Sequence, residues 1–518
     1  MEVVSPSDLT DPIALRAYAV AILRRSNTFL PVYALPPEVL NKIFVLCADK
    51  EWLEKRTDHS RFAVAQVSHY WRAVAVATPD LWSHIAVNDH NIPSKVRKLL
   101  ERAGMLPLTL SVQFGGSNSP IPVNVSLAAA NAVLDLLPRA VSLHVAMPRK
   151  VFDSLTWPLS ASASMQQLKI TGRNLGSPRP LAGLMDTLPA RFPQLQALEA
   201  AGFSFNLIGC RLPLSLTQLH IDNIYPDNAE ADLVLAFLRT APALQRLTLL
   251  FSSPALDVGL RPPPVGPPVL LNELEEFRLG GPGTICVPLL SGIQVPSSTR
   301  QKISLRFNWR DSYLIADCIN VLIPQVKQIG GTFQTASISD EMGEGRYSLT
   351  VVAWKDALSD DAIALPQAHA GLSADLIYEF KLAAAVVPAG GREPPNSRPV
   401  KAVIPAFPFD SVRSLRLALV DCGCLDALAL CAWMHTVGDI SCYSERARPP
   451  EFLAKVLALL GPFENTYFEQ LRTILMSGVS IRPALPLLRS VSEERGRSGA
   501  ALTLQLKKVL RRPNGPVG

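Results

Sequence analysis

Near the amino terminus the alternation of apolar and polar residues has a helical period. Val39, Leu40, Ile43, Phe44 and Cys47 recur at steps of one, three or four positions, which places them on one stripe of a helix. Pro36 and Pro37 suit its first turn, where amide donors have no intrahelical acceptor, and Glu38 complements the positive end of the helix dipole. Upstream, Ile13, Leu15, Ala17, Ala19, Ile22 and Leu23 predict a short helix within residues 12–30, closed by the cations Arg24 and Arg25. Downstream, Val67, Trp71 and Val74 stand at i, i+4 and i+7 of one helical face, with Arg72 pointing elsewhere, until Thr78-Pro79 ends the pattern. Helices this short cannot bury both stripes among themselves, so a surplus apolar face predicts a partner.

From residue 108 the pattern becomes strand-like. Apolar-x-apolar pairs recur at Leu108-x-Leu110, Leu143-x-Val145, Leu168-x-Ile170, Leu219-x-Ile221, Leu247-x-Leu249, Phe277-x-Leu279, Ile303-x-Leu305, Leu349-x-Val351 and Leu415-x-Leu417, with Leu195-x-x-Leu198 a weaker instance. Between Leu143 and Ile303 their spacing is roughly the 20 to 29 residues of a leucine-rich repeat. Alternation puts the paired residues on a core face, and residues 229–239 have the composition of a covering helix. The asparagine that follows the strand in regular repeats is displaced, since Asp222 and Asn223 follow Ile221, and Leu250 and Phe251 follow Leu249. An irregular α/β domain with generic buried strands is the alternative; a degenerate solenoid is preferred. Residues 261–269 and 388–399 read as loops, and the register degrades beyond Leu305 before resuming at 412–417. The tail at 451–512 reads as mainly helical, with Phe452, Val456, Leu459 and Leu460 on one face, suited to capping a solenoid end. The expected organisation is an amino-terminal helix (1–32), a helical module (33–87), a degenerate leucine-rich-repeat-like region (88–450) and a helical cap (451–518).

Composition adds a large buried core: 518 residues, 48% hydrophobic and 18% charged, fit a folded chain of more than one domain. The net charge of +6 comes from 50 basic and 44 acidic residues in mixture, so no single-sign field follows. Basic clusters at Lys95, Arg97, Lys98 and Arg102, and at Lys507, Lys508, Arg511 and Arg512, lack interleaved aromatics, which disfavours nucleic-acid binding. The eight cysteines are too scattered for a disulfide scaffold and are expected as free thiols in a reducing compartment. Glu2, Asp8 and Asp11 precede the first apolar stretch, the wrong order for a secretory signal, and no apolar run reaches the ~18 residues of a membrane span. The expectation is a soluble protein of the cytoplasm and/or nucleus, in which the sequon Asn124-Val125-Ser126 is fortuitous.

No catalytic constellation emerges. Gly280-Gly281-Pro282-Gly283-Thr284 lacks the lysine of a phosphate-binding loop, and Pro282 removes an amide donor, so a turn is predicted. Cys422-x-Cys424 with Cys431, Cys442 and His435 does not match paired zinc knuckles. None of the eight histidines lies beside a Gly-x-Ser-x-Gly motif. His144 and His220 occupy outward positions of predicted strands, where a ligand or solvent would meet them, and solvent is the simpler reading. The expectation is no enzyme, no cofactor and no metal site.

The helical module has a recognisable pattern. Leu35-Pro36-Pro37-Glu38-Val39-Leu40, Ile43-Phe44, Val67-Ser68, Tyr70-Trp71-Arg72 and Pro79-Asp80-Leu81-Trp82 resemble the F-box, most closely that of the F-box-like proteins abundant in mushroom-forming fungi. The resemblance implies a dock for the Skp-type adaptor of cullin-RING ubiquitin ligases, with the carboxyl-terminal remainder capturing a target protein. Adaptor contacts carried over position by position are Leu35, Pro36, Leu40, Ile43 and Phe44, with Val67 and Trp71 from the last helix. The expected fold class is α/β, a small all-α F-box followed by an irregular leucine-rich-repeat-like solenoid. The expected function is target recognition within an SCF-type ligase; the alternatives are a leucine-rich interaction scaffold with a diverged F-box and, from another class, a hydrolase with dispersed catalytic residues.

Overall fold

A computed structural model of the chain describes residues 11–47, 59–88, 93–114, 123–148, 152, 154–155, 162–173, 187–202, 211–224, 231–252, 266–308, 314–330, 333–343, 346–356, 374–383, 404, 407, 410–418, 437–443, 473–477, 489 and 503–507. The chain forms two compact units, Met1–Ser177 with Thr187–Gly202, and Pro178–Asp186 with Phe203–Gly518. The boundary falls inside the stretch that the sequence pattern treats as one repeat region.

The first unit begins with helices α1 (Pro12–Asn27), α2 (Pro37–Cys47), α3 (His59–Val67), α4 (His69–Val76) and α5 (Pro79–Trp82). α1 starts where the Asp11 side chain accepts the Ile13 amide at 2.9 Å and ends near Arg24 and Arg25, both of which favour a helix at that place. Strands and helices then alternate: β1 (His84–Asn88), α6 (Pro93–Ala103), β2 (Leu108–Gln113), α7 (Val123–Leu134), β3 (Ala140–Pro148), β4 (Gln167–Arg173), α8 (Leu188–Arg191) and β5 (Ala197–Ala201). The five strands lie side by side in chain order and pair in parallel. Two apolar ladders cross them in register: Ile85, Leu110, Leu143, Leu168 and Leu198, then Val87, Val112, Val145, Ile170 and Ala200. No member is more than 2% exposed. The recurring apolar pairs are thus inward-facing residues of successive parallel strands, with His144 between the rows, level with Ser111 and Lys169.

The second unit continues the alternation with β6 (Gln218–Ile224), α9 (Ala231–Leu238), β7 (Arg246–Phe251), β8 (Val269–Leu270), β9 (Glu276–Pro282), α10 (Gly283–Gly292), β10 (Ile293–Gln294), β11 (Arg300–Asn308) and α11 (Leu314–Gly330). β12 (Thr335–Gly343), β13 (Arg346–Trp354), β14 (Leu376–Ala383), β15 (Ser414–Ala418), β16 (Asp439–Tyr443), β17 (Thr473–Ser477) and β18 (Thr503–Lys507) follow. The strand order is β6-β7-β9-β11-β14-β13-β12-β15-β16-β17-β18, and β8 pairs separately with β10. α9 lies within the segment expected to be helical and buries Ala231, Val234, Leu235, Phe237 and Leu238. One ladder joins Ile221, Leu249, Leu279, Ile303 and Tyr378.

Four sequence expectations change. First, Ile303-x-Leu305 lies two residues further along the ladder than Phe277-x-Leu279. The place level with Phe277 is taken by Gln301, which is buried and accepts the Tyr378 hydroxyl on its Oε1 at 2.7 Å. A step of two keeps the same face, so an apolar pattern survives the shift. Second, the array is not parallel throughout: β13 runs antiparallel to β12 and β14. Only residues 344–345 connect β12 to β13, and a connection that short joins antiparallel strands alone. Third, the tail expected to be helical contributes the strands β17 and β18, parallel to β16. Thr-Leu-Gln-Leu-Lys alternates with period two and Thr-Ile-Leu-Met-Ser is a short apolar run, and each pairs along the edge of a neighbouring strand; Phe452, Val456, Leu459 and Leu460 lie outside the described residues. Fourth, Gly280 to Thr284 makes no turn, because β9 runs straight into α10. Gly281 has φ 152°, and a Cβ there would stand 2.7 Å from the Phe251 Cβ, while a Cβ on Gly283 would enter the Phe307 ring. The glycines allow close packing at this junction.

Cys286 and Cys318, from α10 and α11, are buried free thiols. Burial pushes both pKa values up, with Arg306 opposing the effect at Cys286, so both stay protonated and poorly nucleophilic.

The ladders make inward and outward positions on one strand unequal. Leu279→Ala is expected to cost about 2–5 kcal/mol of unfolding free energy, whereas Arg278→Ala, one residue earlier and exposed, stays within about 0.5 kcal/mol of the parent. Urea titration of the two variants checks both values.

Candidate functional site

Hydrogen bonds at Thr28, Phe29, Leu30, Tyr33 and Leu35 to carbonyls three residues earlier, with Pro31–Ala34 as a single tight turn, carry the chain from α1 into the helical module without a break. Leu35 is extended, as a residue before proline prefers to be, and its carbonyl accepts the Tyr70 hydroxyl at 3.0 Å. The Tyr33 ring packs on Tyr70 with centroids 5.2 Å apart. The entrance to α2 is thereby pinned to α4.

Inside the module, Leu40 and Phe44 are fully buried, and Phe44 meets Trp71 at 5.0 Å between ring centroids. Trp82 closes the core: its Nε1 donates to the Ala75 carbonyl at 2.8 Å, and the Arg102 guanidinium lies 4.5 Å from its ring centroid. One cation of the basic cluster in α6 therefore has a packing role. Thr78 Oγ1 donates to the Val74 carbonyl at 2.8 Å, ending α4 before Pro79 opens α5.

Val67, Trp71 and Val74 are not on one helix. Ser68 is extended (φ −157°), and its hydroxyl oxygen caps α4 by accepting the Trp71 amide at 3.1 Å. A serine can satisfy a first-turn amide from outside the helix, so the chain breaks there and Val67 becomes the last residue of α3. Arg72 Nε donates to the Ala65 carbonyl at 2.9 Å across the break.

The seven residues carried over by resemblance accordingly divide. Leu40 and Phe44 point inward, Leu35 and Trp71 are half-buried, and Pro36 is exposed, as are Ile43 (38%) and Val67 (60%). The single stripe read from α2 is two adjacent stripes. Leu40 and Phe44 face the core, while Val39, Ile43 and Leu46 face outward, Leu46 being 73% exposed. Val39 stands in the sequence-read stripe but not among the seven carried-over contacts, and Leu46 is in neither; their steps of four and three from Ile43 place them on its outward face. α1 adds exposed Ile13, Leu15, Tyr18, Val20, Ile22 and Leu23 and buries none of its own residues.

Among the described residues no group of three or more His, Cys, Asp or Glu side chains could hold a metal ion, and no helix is long and apolar enough to cross a membrane. Cys422, Cys424, Cys431 and His435 lie outside the described residues.

Tyr70→Phe removes the bond to the Leu35 carbonyl and keeps the ring. It should lower stability by about 1 kcal/mol, read as a lower melting temperature of the purified chain.

No curated protein matches this chain. The F-box-like family model does match, over residues 32–88. That span runs from within the Pro31–Ala34 turn to the end of β1, so the packed helical module described above is an F-box-like domain.

Proposed function

We propose that this chain is a target-recognition subunit of an SCF-type cullin-RING ubiquitin ligase, of the F-box-like kind abundant in mushroom-forming fungi. The observation that carries the reading is the pairing of a buried core with an apolar exterior left exposed among the described residues of one F-box-like domain. Leu40, Phe44 and Trp82 fill the inside, while Val39, Ile43, Leu46 and Val67 remain exposed outside. Covering these partly exposed side chains would contribute about 1 kcal/mol each, before the costs of association. A Skp-type adaptor is the occupant that F-box-like domains in general take.

The strand array serves as the leucine-rich-repeat-like, target-binding region. Support comes from the apolar pairs, which share a register from β3 to β4 and from β6 through β7 to β9. Its outward positions are available for recognition. Ubiquitin transfer belongs to the partner enzymes, and this subunit contributes proximity, which raises the effective concentration of a target lysine near a charged conjugating enzyme. The protein acts in the cytoplasm and/or nucleus.

Purified full-length chain should retain a Skp-type adaptor in a pull-down. Leu46→Asp combined with Val67→Asp should abolish retention while leaving the melting temperature unchanged, because both side chains are exposed. Leu40→Asp would be a poor test, since a carboxylate buried there would unfold the domain. Failure of the unaltered chain to retain any adaptor would overturn the reading.

A further inference from the structure

Parallel register in the second unit fixes which outward side chains are neighbours. His220, Thr248, Arg278 and Lys302 are successive Cα partners across β6, β7, β9 and β11, and this row holds no carboxylate. Arg278 and Lys302 are both exposed and sit directly opposite each other, about 5 Å apart at the backbone. Like charges so placed destabilise a sheet unless something anionic lies over them. Neither makes an ion pair among the described residues.

Of the three carboxylates in the flanking rows, Glu276 and Glu379 are engaged, whereas Asp222, on β6 at the end away from Lys302, makes no ion pair among the described residues. On one side Gln218, Arg246, Glu276 and Arg300 are level, and Arg300 pairs with Glu276 at 2.9 Å, leaving Arg246 exposed. On the other side Asp222, Leu250, Gly280, Ser304 and Glu379 are level; Glu379 bridges Lys381 at 2.9 Å and accepts the Ser304 hydroxyl at 2.7 Å. The residual charge is positive and concentrated at Arg246, Arg278 and Lys302. Beside it Leu250 lies against Gly280, where a Cβ would stand 2.9 Å from the Leu250 Cδ2, so an apolar contact adjoins the cations.

We infer that this row binds an acidic segment of a target protein, whose carboxylate or phosphate groups seat on Arg278 and Lys302 with an apolar residue against Leu250. The inference rests on the reading of the strand array as the target-binding region. A peptide fits better than a nucleic acid because no outward position of β6, β7, β9 or β11 carries a phenylalanine, tyrosine or tryptophan for base stacking.

The test is fluorescence anisotropy with the full chain and four probes: a short labelled peptide of alternating glutamate and leucine, its glutamine counterpart, its phosphoserine counterpart, and a single-stranded RNA of matching length. Binding of the glutamate or phosphoserine peptide is expected, weakening with added salt and by roughly tenfold or more on replacing glutamate with glutamine. Which acidic peptide binds tighter identifies the anion as carboxylate or phosphate. Arg278→Glu with Lys302→Glu should cause a similar loss without moving the melting temperature, whereas Lys98→Glu on α6 should not. Absence of binding to both acidic peptides, unchanged affinity in the double variant, or tighter binding of the RNA would overturn the inference. The double variant should still retain the adaptor. For the unaltered chain, no binding of either acidic peptide with the adaptor retained refutes only this inference, and no adaptor retention with peptide bound refutes only the adaptor reading.

Discussion

Register between parallel strands is the constraint on which the larger part of this chain depends. Each strand offers side chains alternately to two faces, so a slip of one residue would move Leu143 and Val145 outward and bring His144 into the core. Five strands in the first unit obey one register, and their ladders hold only aliphatic residues. The same alternation that buries the ladders aligns the polar residues between them into rows, which is why cations distant in sequence, such as Arg278 and Lys302, become neighbours. The buried ladders and the outward polar rows are two consequences of one pairing rule.

That rule also explains what could be read from the sequence. Period-two alternation is local and burial enforces it, so the nine apolar-x-apolar pairs from Leu108 to Leu417 lie on strands, while Leu195 of the weaker Leu195-x-x-Leu198 falls just before β5. Strand order is not local. Nothing in Leu349-x-Val351 distinguishes an antiparallel strand from a parallel one; the distinction comes from the two-residue link before it. β14 was missed because Ile377-Tyr378-Glu379-Phe380 mixes a buried tyrosine and an acidic residue into the alternation, and Tyr378 is acceptable inside only because Gln301 receives its hydroxyl. The glycine run illustrates a different gap: its need for glycine comes from Phe251 and Phe307, which are distant in sequence.

In the F-box-like domain the outline was legible and the orientation of side chains was not. Helix starts at prolines, the apolar steps of α2 and the aromatic residues of α4 all carry local signals. Whether Leu40 or Val39 faces inward does not, since both are aliphatic and adjacent. Phe44 packing on Trp71 decides the matter, with Trp82 anchored to Ala75 behind them. The break at Ser68 is equally a tertiary result: an uninterrupted helix was compatible with the apolar spacing, and a capping hydroxyl together with Arg72 reaching Ala65 favours two helices.

The join between the domain and the strands bears on how the protein would work. Ser83 alone separates α5 from β1, and the Ser83 carbonyl accepts the Thr109 amide of β2 at 3.1 Å. Trp82 is buried in the helical core while Arg102 of α6 lies over its ring, so the last helix of the module and the first crossover share one anchor. A flexible linker at this point would spread a bound target over many orientations relative to the adaptor. A one-residue connection, hydrogen-bonded on its carbonyl side, removes that freedom for β1 to β5 before any partner arrives. In the proposed assembly, the entropy of fixing the first strands against an adaptor would thus be lost during folding and need not be lost again on binding.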